Sequence, residues 1–259
     1  MRTTSRLNGF PALVIVGSLL FAGPARADEI KVMTSGSFTA AYLELVQEFE
    51  RLSRHTVVTA FGASLGNAPD SIPARLGRRE PVDVVILVST GLEDLITQGT
   101  VVKSSRVDLA RSSIGMAVRA GAPKPDISSV EALKRTLLQA KSIAYSASAS
   151  GVYVSTELFQ RLGITDQVKG KAKRIESERV GAVVARGDAE VGFQQISELR
   201  PIKGIDYVGP LPPDVQRVSV VSAGIATESR APDAARALIE FLASPAAVAT
   251  IRRNWLEPM

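Results

Sequence analysis

Apolar positions along the chain switch between two periods. Ile30, Val32 and Met33 mark a short strand, and Thr34, Ser35, Gly36 and Ser37 follow as a turn of small, hydroxyl-rich residues. Phe38, Ala41, Tyr42, Leu45, Val46, Phe49 and Leu52 then recur every three or four residues, one face of a helix, with Ser37 at the expected N-cap. The same unit returns downstream. Thr56–Phe61 reads as a strand, and residues 65–76 as a helical segment interrupted by Pro69 and Pro73. Residues 82–88 form a near-continuous apolar run, the pattern of a strand buried on both faces. Thr90 and Glu93, then Ser128 and Glu131, have capping-box spacing and open helices, the second reaching Ala140. Strands are predicted at 113–118, 142–145, 174–175, 190–193, 205–208 and 218–226. Helices are predicted at 152–162, 180–185 and 234–242, and Ser244-Pro245 opens a last one.

Strands that alternate with helices over the whole chain predict an α/β fold with mainly parallel sheets. In such sheets the turns from strand to helix gather at one end. Breaks near Gly121 and Gly209 bracket a central block. The expected organisation is two lobes, residues 28–110 with 224–259 forming the first and residues 111–223 inserted as the second. The interlobe cleft is the expected site.

Composition changes this picture at the N-terminus. Arg2 and Arg6, an apolar run over 13–22 and Ala25-Arg26-Ala27 are the three parts of a secretory signal over residues 1–27, with cleavage after Ala27. That stretch holds three of the 31 Lys and Arg and none of the 26 Asp and Glu, so the formal charge falls from +5 to +2 once it is removed. The mature chain is therefore close to neutral. Its one dense basic run, residues 169–174, accompanies no nucleic-acid-binding motif, and no nucleic-acid partner is expected. The absence of Cys excludes disulfides and thiolate metal sites, and export without cysteine suits a bacterial periplasm.

Four turns share one chemistry: 34–37, 62–64, 146–151 and 177–180. Each is rich in Ser, Thr, Gly or Ala and leads into a helix. Small residues let a ligand approach the backbone, and hydroxyls and N–H groups supply donors. The binding candidates are Ser35, Gly36, Ser37, Ser64, Ser148, Ser150, Gly151, Arg179 and Val180. Arg75 and Arg179 lie close enough in sequence to pair with a carboxylate. Gly62-Ala63-Ser64-Leu65-Gly66 matches the G-x-S-x-G hydrolase turn, but the single histidine, His55, precedes it, which removes a Ser-His triad of that order. One His and no Cys argue against zinc, and no lysine-bearing phosphate loop is present. Neither metal nor cofactor is expected.

KVMTSGSFTAAYLELVQEFE, FGASLG, PVDVVILVS, ARGDAEVGFQQISEL and ALIEFLASPAAVATIR, in this order, resemble the periplasmic molybdate-binding protein family over residues 29–258. The resemblance implies the two-lobed class II solute-binding fold, acting as a monomer that captures an oxyanion and delivers it to an ABC importer. It places ligand contacts on Ser37, Ser64, Ser150 or Gly151, and the Val180 amide. One departure shapes the ligand expectation. In Gly192-Phe193-Gln194-Gln195 the family's site-closing Tyr is replaced by Gln195, which offers both a donor and an acceptor. That favours an organic carboxylate over molybdate, with Gln194 as a further contact. The family also includes periplasmic aconitate isomerase. This resemblance implies an alternative function, allylic proton transfer on an unsaturated polycarboxylate, for which Glu178 and Tyr145 flank the turns as candidate bases.

Overall fold

The computed structural model describes residues 27–66 and 68–259, so all but the last residue of the expected signal lies outside the described residues. In chain order the elements are β1 (Glu29–Thr34), α1 (Thr39–Ser53), β2 (Thr56–Phe61), α2 (Ile72–Gly77), β3 (Val84–Val88), α3 (Ser89–Thr97) and β4 (Val107–Arg119). The central block holds α4 (Val130–Gln139), β5 (Ile143–Ser146), α5 (Ala149–Tyr153), α6 (Phe159–Arg161), α7 (Thr165–Val168), β6 (Ala172–Ile175), α8 (Val180–Arg186), β7 (Val191–Gln195), α9 (Ile196–Leu199) and β8 (Ile205–Pro210). The chain ends with β9 (Val218–Ile225), α10 (Pro232–Leu242), α11 (Val248–Arg253) and β10 (Glu257–Pro258). One π-helical stretch, Val154–Leu158, joins α5 to α6 into a single rod.

Two strand systems share β4. The first runs β2-β1-β3-β9-β4 and the second β4-β7-β5-β6, with β8 also on β4. Alternation along β1 and β3 explains why both faces of the first sheet are covered. Ile30, Val32, Val84 and Ile86 face α1, α10 and α11, whereas Met33, Val85 and Leu87 face α2 and α3. The second sheet is wrapped likewise, by α4, α5, α6 and α7 on one side and α8 on the other.

The outer pairs are parallel, as the alternation of strands and helices predicts, but β9 and β4 run antiparallel to their neighbours. The reason lies in the crossings. β4 pairs with β9 up to Ser113 and with β7 and β8 from Ile114, so one thirteen-residue strand leaves the first sheet and enters the second. The chain returns through residues 211–217, where the Gln216 side chain clasps both backbone groups of Ile114, at 3.0 and 2.9 Å.

Local chemistry decided some boundaries differently from the pattern. Pro73 sits in the first turn of α2, where proline is tolerated, and Ser71 caps that helix. The helix expected over 65–76 is thereby cut to its last turn and a half. Ser129 caps α4 by accepting from Ala132 N, one residue later than the Ser128–Glu131 capping box predicts, because the Ser128 hydroxyl is held by Asp126. Thr90 does not cap α3, which already begins at Ser89. Ser37 does not cap α1 either; it lies in a 3₁₀ turn, Gly36–Phe38, and Phe38 takes the N-cap position.

Asp83 anchors the far end of the first sheet. Its carboxylate accepts from the amides of Lys31, Arg230 and Ala231 and from Ser229 Oγ, at 2.7–3.2 Å. Burial raises its pKa, but these four donors outweigh that and hold it below the usual value. Asp83→Ala leaves them unpaired and is expected to cost roughly 3 kcal/mol or more, read as a fall of at least about 6 °C in a thermal melt.

Candidate functional site

The turns after β1, β2, β5 and β6 meet where the two sheets face each other. Ser35, Gly36, Ser37, Ser64, Ser148 and Ser150 surround an inner recess together with Gln195 and Glu198. An outer chamber of about 200 Å³ adjoins it, lined by Gly36, Ser148, Glu178, Arg179, Gln194 and Glu198 among others. The recess is closed between the sheets, where Ser197 Oγ donates to Ser37 O at 2.7 Å.

Two hydroxyls stand out. Ser35 and Ser37 are 2% and 5% exposed, and neither Oγ has a hydrogen-bond partner among the described residues. Buried polar groups are normally paired, so these two hydroxyls mark the recess as the candidate binding site. Two of the others are engaged: Ser64 Oγ accepts from Val88 N at 3.3 Å, and Ser150 shares a hydrogen bond of 3.0 Å with Ser146. Gly36 and Gly151 are where chain and site come closest. A Cβ on Gly36 would overlap Glu198 Oε1, and one on Gly151 would overlap the Ser146 carbonyl.

The structure adds Glu198, which sequence reasoning missed. It occupies the third position of α9, a one-turn helix that follows β7 with no loop between. Its carboxyl is buried, abuts Gly36 and accepts from Gln194 Nε2 at 2.9 Å. Burial pushes its pKa up to about 7, against the opposing pull of the Arg179 charge and the Gln194 hydrogen bond. The only signal in the sequence was one acidic residue inside the otherwise apolar and neutral segment 191–199.

Other expected residues lie away from the site or are engaged by neighbours. Arg75 does not line the recess or the chamber; it donates to Glu80 at 3.1 Å, because α2 turns it along the helix. Tyr145 points to the opposite side of β5 from Ser146 and meets Phe159 edge-on, with centroids 6.2 Å apart. Glu178 lines the chamber, but Arg186 holds its carboxylate through two hydrogen bonds of 2.8 and 3.0 Å and keeps its pKa below the usual range, a poor setting for a base. The Val180 amide donates to Gln194 Oε1 at 2.9 Å. Gln195 borders the recess with its amide held between β4 and β9. With the nitrogen towards Ser112 Oγ and Ser113 O, 2.8 and 3.0 Å, its oxygen accepts from Ser219 Oγ at 3.2 Å.

A two-sheet α/β frame with a donor-lined recess between the sheets defines a class, and residues 30–256 match its family model: the chain belongs to the bacterial extracellular solute-binding protein family. Among individual proteins it is 44% identical to an aconitate isomerase of Pseudomonas sp. over 253 residues, 96% of this chain and 97% of the relative. It is 27% identical to a molybdate-binding protein of Azotobacter vinelandii, covering 93% and 94% of the two chains. Among solved structures, the periplasmic molybdate-binding protein of Azotobacter vinelandii superposes with a TM-score of 0.71 at 22% identity, over 88% of this chain and 98% of that one. The sulfate-binding protein SubI of Mycobacterium tuberculosis reaches the same TM-score at 18% identity, over 90% and 87%. These two likenesses establish the two-lobed fold.

Proposed function

We propose that this chain is a periplasmic, cofactor-independent isomerase of a small unsaturated polycarboxylate, of the aconitate type. The observation that carries the reading is the Glu198 carboxyl, buried beside unpaired serine hydroxyls and poised near neutral pH. A protein that only captured a fully charged oxyanion would gain nothing from a second ionisable acid against its ligand. Proton transfer requires one whose pKa lies near the working pH. The 44% identity to an aconitate isomerase supports the same reading.

In this mechanism Ser35, Ser37 and Ser150 hold one substrate carboxylate in the recess, and Arg179 meets another in the outer chamber. The Glu198 carboxylate removes a proton from the methylene carbon next to a substrate carboxylate. The electron pair spreads over the allylic system into that carboxylate, where the hydroxyl donors stabilise the added charge. Glu198 then returns the proton to the far allylic carbon, and the double bond has moved with no net change in composition. The termini of an allylic unit are close enough for one carboxylate oxygen to serve both.

Incubation with trans-aconitate tests this directly. Formation of the cis isomer beyond one equivalent per protein is expected; saturable binding of an unchanged ligand would leave only solute capture, with delivery to an importer. Carboxylates are expected to raise the melting temperature more than molybdate, tungstate or sulfate. Arg179→Ala is expected to weaken the carboxylate by about 1.5–3 kcal/mol, the worth of a charged hydrogen bond, measured by titration calorimetry. Unchanged affinity would remove Arg179 from the site. Export, with the mature chain beginning at Asp28, is checked by N-terminal sequencing of periplasmic protein.

A further inference from the structure

Gln194 connects two groups that a ligand would otherwise reach independently. A backbone N–H can only donate, so the bond from Val180 N fixes the Gln194 amide with its oxygen towards α8. Its NH₂ is thereby turned to Glu198, at 2.9 Å, and it too can only donate. Glu198 Oε1 must therefore accept in both protonation states, and Oε2 has no hydrogen-bond partner among the described residues. Both glutamine and glutamate are buried, 4% and 8% exposed.

We infer that Gln194 is a positioning residue for the isomerisation: it locks Glu198 Oε1 as an acceptor, reserves Oε2 for the proton exchanged with substrate, and withholds the Val180 amide from the bound anion. The catalytic consequence rests on the isomerase reading; the hydrogen-bond relay belongs to the free protein and can be tested without it. Other charged groups near Glu198 do not duplicate this role. Arg179, preceding α8, is the one whose charge acts on it. Glu178 is paired with Arg186, while Asp70 and Glu176 line the same outer chamber without bonding to it. Arg200, at the C-cap of Glu198's helix, is stacked between Tyr207 and Trp255, 5.0 and 4.9 Å from the ring centroids.

The test compares wild type with Gln194→Met, which removes the donor at similar volume, and Gln194→Glu. The glutamate variant keeps an acceptor for the Val180 amide and sets a second carboxyl against Glu198, so it preserves the frame if the methionine variant does not fold. Carbon-13 NMR of glutamate carboxyls gives the titration midpoint, with Glu198→Gln identifying the resonance that disappears. The midpoint is expected to rise by about one pH unit in Gln194→Met and further in Gln194→Glu. The acid limb of kcat/KM for trans-aconitate should move with it, and kcat should fall at least about tenfold while KM changes little. A midpoint unmoved in both variants would overturn the inference, as would an unmoved acid limb. If the wild type fails to turn trans-aconitate over, the isomerase reading falls, and the NMR midpoint alone still decides whether Gln194 holds Glu198.

Discussion

Glu198→Gln is expected to lower kcat for aconitate isomerisation by about 10²–10⁴-fold, the usual contribution of a positioned acid or base. Substrate binding should survive, because the amide keeps the volume and an acceptor for Gln194. The pH dependence follows from the same group. In the proposed reaction the free protein needs the carboxylate, so wild-type kcat/KM should rise through about pH 7 and then level. Stability should move the opposite way. A carboxyl whose pKa is raised from 4.5 to about 7 on folding favours the fold fully below pH 4.5, and that contribution is lost as the pH rises through 7. The whole term is about 3 kcal/mol, at 1.36 kcal/mol per unit. Thermal melts between pH 5 and 8 should therefore show Glu198→Gln gaining on wild type with rising pH. Parallel melting curves would mean that Glu198 titrates like an exposed carboxyl, and activity retained within threefold would exclude it as the base.

A large loss of stability is also expected from Gly151→Ala. The new methyl would overlap the carbonyl carbon, oxygen and amide nitrogen of Ser146, all backbone, at the joint between β5 and α5. Overpacking usually costs about 1–3 kcal/mol when side chains can yield; here a strand end must shift, so about 3 kcal/mol or more is expected. For a chain of this size that is a melting temperature lower by roughly 6–12 °C. Gly36→Ala provides the contrast. Its methyl overlaps only the end of the Glu198 side chain, which can swing away. That variant should keep most of its stability and lose activity because Glu198 is displaced. A Gly151→Ala protein that melts with wild type would mean that β5 and α5 are not held together as described. A fully active Gly36→Ala protein would show that the Glu198 contact with the turn is dispensable.

What the sequence determined by itself was whatever depends on short-range pattern. Periodicities of two and near 3.6 located most strands from Ile30 to Ile225 and the main helices, because each element had to bury one face or two against the rest of the chain, but missed the first half of β4, Val107–Ser112. Small residues and hydroxyls at the turns identified Ser35, Ser37, Ser64 and Ser150 as one set, since turns after strands in such sheets gather at the same end. The ordered segments also carried the family likeness. Only tertiary structure decided which of those hydroxyls are free. Ser37 looks like a helix cap in sequence, yet the 3₁₀ turn leaves its oxygen unpaired in the recess. Side-chain direction was equally out of reach. Adjacent residues on a strand face opposite ways, so Ser146 lines the chamber while Tyr145 packs on Phe159. Arg75 and Glu178 lie near the turns in sequence, but nearby partners, Glu80 and Arg186, engage them. Glu198 was illegible because its character is not local: one turn of helix, four residues beyond Gln194 and more than 160 from Gly36, becomes a buried acid only when the two sheets close on it. Burial sets that carboxyl's pKa, and burial is a property of the assembled fold.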